Sequence, residues 1–153
     1  MAISQAELHR RLGRFIEASR RIGLRITHQR AEIFREAAAS DEHPDAETIY
    51  QRVCKRVTGV SRDTVYRTLA MLEDNGLLRK TEVLGGPARY DANLDRHHHF
   101  VCAVCGTVKD FRSDALDDLP IPDSVKAIGR IEAAQVHVRG VCAACMRKKV
   151  KRR

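Results

Sequence analysis

Apolar residues recur at helical spacing through the first half of the chain and give way to short strand-like runs in the second. Leu8, Leu12, Phe15 and Ile16 mark one face of a first helix, with Arg10, Arg11 and Arg14 off that face and Gly23 beyond its end. Thr27 is placed to cap a second helix carrying Ala31, Ile33, Phe34 and Ala37. A third opens after His43-Pro44-Asp45, with Asp45 as cap and Ile49, Val53 and Val57 as its buried stripe, and stops at Thr58-Gly59. Ser61 caps a fourth, with Val65, Leu69 and Leu72 inward and Asn75-Gly76 at its end. Residues Leu77 to Leu84 and Ala88 to Asp91 flank Gly85-Gly86-Pro87 and predict a hairpin.

Helices followed by one hairpin is the order of a winged helix-turn-helix. The fourth helix would then enter a major groove, presenting Arg62, Asp63, Thr64, Tyr66, Arg67 and Thr68. The competing reading is an ordinary solvated helix face. Beyond Asp91 the period shortens: His97 to Val101, Thr107 to Phe111 and Ile131 to Val141 predict strands. Asp114 to Leu119 and Ser124 to Ile128 predict short helices, separated by Pro120 and Pro122. So small a sheet is marginal alone and calls for a metal, a dimer partner or both.

Composition narrows the partners. Lys and Arg outnumber Asp and Glu by 28 to 20, for a net charge of +8, which suits a polyanion. Aromatic residues are only 5% and Trp is absent, so duplex DNA fits better than a base-stacking platform for single strands. The polar start of the chain and the lack of a long apolar run predict a cytoplasmic protein without a membrane span. Arg147 to Arg153 reads as a solvated basic tail that adds salt-sensitive DNA affinity at most.

The strongest chemical signal is Cys102-x-x-Cys105 with Cys142-x-x-Cys145. Such spacing turns both thiolates of a pair toward one tetrahedral ion, and four thiolates leave no open position, as in structural Zn(II) sites. Cys54 stands apart as a small core residue. A second signal is His97-His98-His99 preceded by Asp91: on a strand, His97 and His99 share a face and His98 points away. Asp110 could add a carboxylate from the adjacent strand, and His43 is one of several further candidates. Imidazole with carboxylate suits Fe(II), Mn(II) or Zn(II). An enzyme is disfavoured, because no open zinc position with a Glu base, Gly-rich phosphate loop or nucleophile elbow is present. A thiol redox switch and a metal-buffering protein are the other rivals.

Taken in order, several runs resemble the ferric uptake regulator family: Gly23 to Arg30, His43 to Tyr50, Thr64-Val65-Tyr66-Arg67, Arg89-Tyr90-Asp91, His97 to Gly106 and Cys142 to Cys145. The resemblance implies an α+β fold. A winged helix-turn-helix over residues 1–86 would precede a small α/β dimerisation domain with a structural zinc site over residues 87–153. It implies a homodimeric repressor on a palindromic operator, with Arg25 joining Arg62, Thr64, Tyr66 and Arg67 as DNA contacts. It further implies a regulatory Fe(II) or Mn(II) on His43, Asp91, His97, His99 and Asp110.

The likeness is greatest to peroxide-responsive repressors, whose oxidised ligands match His43 and His97; iron-sensing relatives commonly carry Glu in place of Asp91 or Asp110. Simple iron sensing is the alternative. Some relatives hold a third metal, but Arg96 and Ala134 occupy two of its His positions, which leaves His98 and His137 as surface or structural residues.

Overall fold

The computed structural model of the chain describes residues 3–81, 86–131 and 133–150, and the chain divides after Leu94 into two compact units. The first opens with α1 (Gln5–Arg21), α2 (His28–Ala38), α3 (Ala46–Cys54) and α4 (Arg62–Asp74). Their starts follow from local chemistry. Ser4, Thr27, Asp45 and Ser61 each accept a hydrogen bond from the backbone N–H three residues on, satisfying donors that have no partner within the helix. After α4, Gly76 takes φ +67, a left-handed turn that lets Leu77 N–H close on the Leu72 carbonyl at 2.8 Å.

Strands β1 (Arg79–Thr81) and β2 (Arg89–Asp91) then pair antiparallel, Arg79 opposite Asp91. The second arm of the hairpin therefore stays with the first unit, which runs on to Leu94. Residues 82–85 of the expected hairpin lie outside the described residues. The core of this unit joins Phe15 and Phe34, whose rings stack 4.2 Å apart, to Ile33, Ile49, Val53, Val65, Leu69, Leu72 and Leu78.

Two expectations need correcting here. The buried face of α1 is rotated from the one apolar spacing predicts: Arg11 is buried and Ile16 exposed. Arg11 lays its stem on the core while Nη1 donates to the Ala38 carbonyl at 3.3 Å and Nε to Glu7 at 2.7 Å. The third helix ends at Cys54, several residues before Gly59, although Val57 is still buried.

The second unit is a three-stranded sheet in the order β4 (Val108–Phe111), β3 (His98–Cys102), β5 (His137–Gly140), with β3 antiparallel to β4 and parallel to β5. Single turns α5 (Asp114–Asp117) and α6 (Asp123–Lys126) lie between β4 and β5, and α7 (Ala143–Val150) closes the chain. The last strand is four residues long, not the eleven of Ile131 to Val141, because it pairs only with His99 to Cys102. Gly140 permits that pairing: a Cβ there would stand 2.9 Å from the Phe100 ring. The basic tail is helical as far as Val150, and residues 151–153 lie outside the described residues.

Leu69 is fully buried between the helices that carry the first unit. Leu69→Ala should lower stability by about 2–5 kcal/mol, from lost transfer energy plus the cavity left behind. Urea titration followed by helical circular dichroism measures it, and a loss below about 1 kcal/mol would show a looser core.

Candidate metal centres and nucleic-acid interface

Cys102, Cys105, Cys142 and Cys145 bring their sulfurs within 4.8 Å of one another. Cys102 ends β3, and Gly106 at φ +69 turns the chain so that its N–H reaches the Cys102 carbonyl at 2.9 Å. The second pair leads into α7 rather than into a turn, so Cys145 sits in a helix. The Sγ atoms of Cys105 and Cys142 stand 3.8 Å apart. That is the edge of a tetrahedron with bonds of about 2.3 Å, as for zinc and sulfur.

The protonation pattern fits a cation. Cys102 is drawn down to about 6, first by the backbone N–H groups of Cys142 and Cys105. Cys105 is lowered too, chiefly by the Thr107 hydroxyl. Cys145 is pushed up to about 12 by its hydrogen bonds to Cys105 and Cys142. A divalent ion among the four sulfurs would relieve the repulsion between neighbouring thiolates.

The histidines divide between the two units. In the first, His43 is buried in the left-handed region at φ 46, a conformation costly for a residue with a Cβ. It is held there because its loop is lashed to β2. Tyr90 N–H donates to the Pro44 carbonyl at 3.1 Å, Arg89 Nη1 to the His43 carbonyl at 3.4 Å, and Asp45 forms a bridge to Arg89. The lashing sets His43 Nδ1 3.5 Å from Oδ1 of the buried Asp91, which also accepts the Asn93 N–H at 2.7 Å.

In the second unit, His97 and His99 lie on one face with Nε2 atoms 3.0 Å apart. Asp110, directly opposite His99 in the ladder, reaches them at 3.7 and 3.5 Å. Two donors about 2.1 Å from one ion and at right angles to each other are also about 3.0 Å apart. His97 Nδ1 donates to the Asp95 carbonyl at 2.8 Å, which fixes its tautomer and leaves the Nε2 lone pair facing the cluster. Sequence reasoning missed that partner because a backbone carbonyl leaves no mark in residue type.

His98 points the other way, as the strand pattern predicts, and is buried. Its Nδ1 accepts the Val136 N–H at 3.2 Å, so Nε2 carries the proton and faces Asp117 Oδ1 at 3.2 Å. Arg96 Nε meets the same oxygen at 3.1 Å, and its Nη2 also donates to the Asp117 carbonyl. His137 is exposed, edge-on to His99, with its pKa lowered first by desolvation and then by the His99 charge.

On the first unit, α4 presents Arg62, Tyr66 and Arg67 to solvent, while Thr64 is half-buried, its hydroxyl 2.9 Å from that of Ser61. Thr68, expected on the outer face, is buried, because it falls on the same side as Val65, Leu69 and Leu72. Arg25 is exposed ahead of α2, and its carbonyl accepts from Arg30 at 2.7 Å. A groove of about 470 Å³ runs between the start of α2 and α4, lined by Thr27, Gln29, Arg30, Thr64 and Arg67.

Residues 21–139 match the profile of the ferric uptake regulator family, a span that includes His43, Asp91, His97, His99, Asp110 and the first cysteine pair. The chain belongs to the ferric uptake regulator family. It is 33% identical over 132 residues to the ferric uptake regulation protein of Synechococcus elongatus, covering 84% of this chain and 90% of that one. To the peroxide-responsive repressor PerR of Staphylococcus epidermidis it is 30% identical, covering 85% and 87%. Its fold is similar to the solved structure of a zinc-bound manganese uptake regulator, with a TM-score of 0.66 at 31% identity over 84% of this chain and 98% of that one. Membership places it among regulators, not enzymes. Among the described residues no helix is long and apolar enough to cross a membrane.

In this member of the ferric uptake regulator family, the surroundings of His98 hold the Arg96–Asp117 ion pair. Asp117 Oδ1 pairs with Arg96 and stands 3.2 Å from Nε2 of the buried His98. Asp117→Ala should therefore cost about 1–3 kcal/mol by removing the carboxylate that faces the buried His98 and pairs with Arg96. Denaturant midpoints of the metal-loaded protein measure this, and an unchanged midpoint would show the triad to be incidental.

Proposed function

We infer that the protein is a metal-dependent transcriptional repressor that binds palindromic duplex DNA as a homodimer and senses hydrogen peroxide through oxidation of a ligand histidine. The carrying observation is the pair of imidazoles on His97 and His99, 3.0 Å apart beside Asp110, with the lone pair of His97 already turned inward. Three donors would leave about half of a six-coordinate Fe(II) or Mn(II) shell open, and His43 with Asp91 would supply two more from the first unit. Only six positions separate Asp91 from His97, so the chain itself holds the two groups within about 20 Å. Zn(II) on the four cysteines would be structural.

Filling all five positions would join the units and set the spacing of paired α4 helices. The ion favours that form only through its greater affinity for it, and DNA must favour the same form. Fe(II), when bound, would activate the O–O bond of peroxide beside an imidazole, with no net change in the iron. One oxygen atom is added to the ring of His43 or His97 and the other leaves as water. The oxidised ring is a poor ligand, so the five-donor set breaks and DNA is released. The choice of peroxide over iron rests on Asp, rather than Glu, at 91 and 110. Pairing of two chains is supported by the second unit itself. Among its described residues only Cys102, Val108 and Cys145 are buried apolar side chains, while Leu119, Val125, Ile128 and Val138 are exposed.

Fluorescence anisotropy with a duplex selected from a randomised pool tests this reading. Zinc-loaded protein should bind with added Mn(II) or Fe(II), and peroxide should abolish binding of the Fe(II) form alone. Mass spectrometry should then find +16 Da on a peptide containing His43 or His97. Binding that survives peroxide with intact histidines would leave iron sensing. Oxidation confined to cysteines with loss of zinc would point to a thiol switch. Failure to bind any duplex would end the repressor reading. His43→Ala should weaken Mn(II) binding by at least about tenfold, read by metal titration.

A further inference from the structure

Arg62 is the first residue of α4, and its guanidinium is gripped from two sides by α3. Nε and Nη2 donate to the two carboxylate oxygens of Glu47, each at 3.0 Å. The guanidinium carbon lies 4.6 Å from the centre of the Tyr50 ring, one helical turn along α3 from Glu47. Glu47 is itself held from behind by Gln51 Nε2 at 3.1 Å. The side chain of Arg62 nevertheless remains 63% exposed. Arg67, farther along the same helix, is held differently: its Nε meets Asp63 at 3.0 Å, and both side chains are more than 70% exposed.

These contacts determine which hydrogens Arg62 has left. The fork formed by Nε and one Nη2 hydrogen is used by Glu47, and one face of the guanidinium plane is covered by Tyr50. What stays open is the end-on fork of Nη1 and the outer Nη2 hydrogen. That fork matches the N7 and O6 acceptors of guanine in a major groove, and residues at the start of a recognition helix are the ones that reach base edges. Hydrogen bonding to Arg62 also keeps the Glu47 carboxyl below its ordinary pKa, so the grip is ionised across the physiological range.

A carboxylate beside a DNA-facing helix repels phosphate and so lowers affinity for any sequence. In return it directs the guanidinium, because a planar fork held in one orientation loses less freedom on binding than a free side chain. We propose that Glu47 and Tyr50 are positioning residues that aim Arg62 at a guanine, making sequence preference at that base depend on two residues of α3 that do not touch DNA. This rests on the DNA-binding reading above.

The test uses the full chain loaded with Zn(II) and Mn(II), a duplex selected from a randomised pool, and a scrambled duplex of equal length. Loss of one base preference in Arg62→Lys identifies the guanine. Glu47→Gln should weaken binding to the selected duplex by roughly tenfold and leave the scrambled duplex bound equally or more tightly. The penalty for replacing that guanine should fall to under about threefold. Tyr50→Leu, which keeps apolar bulk but removes the ring, should shift the base preference in the same direction, and Tyr50→Phe should retain it. Two outcomes would overturn the proposal. In one, Glu47→Gln tightens both duplexes equally, which makes Glu47 a repulsive charge only. In the other, the base preferences of Glu47→Gln and Tyr50→Leu match those of the unaltered protein. If the unaltered protein binds neither duplex, the DNA-binding reading fails first and takes the proposal with it.

Discussion

Neither unit alone offers enough donors to fill the coordination shell of a divalent ion such as Fe(II) or Mn(II). In the function proposed above, the first would supply an imidazole and a carboxylate, His43 and Asp91; the second would supply two imidazoles and a carboxylate, His97, His99 and Asp110. Much of the local structure serves to hold these groups ready. His43 occupies a left-handed backbone conformation because β2 and the Pro44 carbonyl fix its loop. His97 presents Nε2 because the Asp95 carbonyl accepts a hydrogen bond from Nδ1–H and keeps the proton there. Buried imidazoles with fixed orientation lose little freedom on taking an ion, which favours affinity at low metal concentration.

The second unit lives under a different constraint. Its sheet has three short strands and little apolar burial of its own. The four cysteines join the end of β3 and its following turn to the segment between β5 and α7, closing the parallel edge of the sheet. Arg96, Asp117 and His98 do similar work at the other end of β3, with an organic cation in place of a metal. The unit is thus held by polar and sulfur chemistry where a larger domain would use a core.

Local chemistry was legible in the sequence, and so were the cysteine cluster and the Asp110 partner of His99, but other long-range contacts were not. The caps Thr27, Asp45 and Ser61 could be read because an N-cap needs only its own side chain and the next turn. The cysteine cluster was legible from spacing, since two intervening residues already fix how thiols converge. Arg11 was misplaced because its burial depends on the Ala38 carbonyl, twenty-seven residues away. The strand at Ile131 to Val141 was overextended because apolar content marks strand propensity, whereas its length is set by the neighbour it pairs with. Glu47 passed unnoticed for the same reason, lying fifteen residues from Arg62.

In the proposed function one ion draws ligands from both sides of Leu94. Anomalous diffraction at the manganese edge, from crystals of the zinc-loaded protein grown with Mn(II), tests this most directly. A single peak bonded at about 2.2 Å to His43, Asp91, His97, His99 and Asp110 is the expected result. A peak held by His97, His99 and Asp110 with water, and His43 turned away from it, would contradict it.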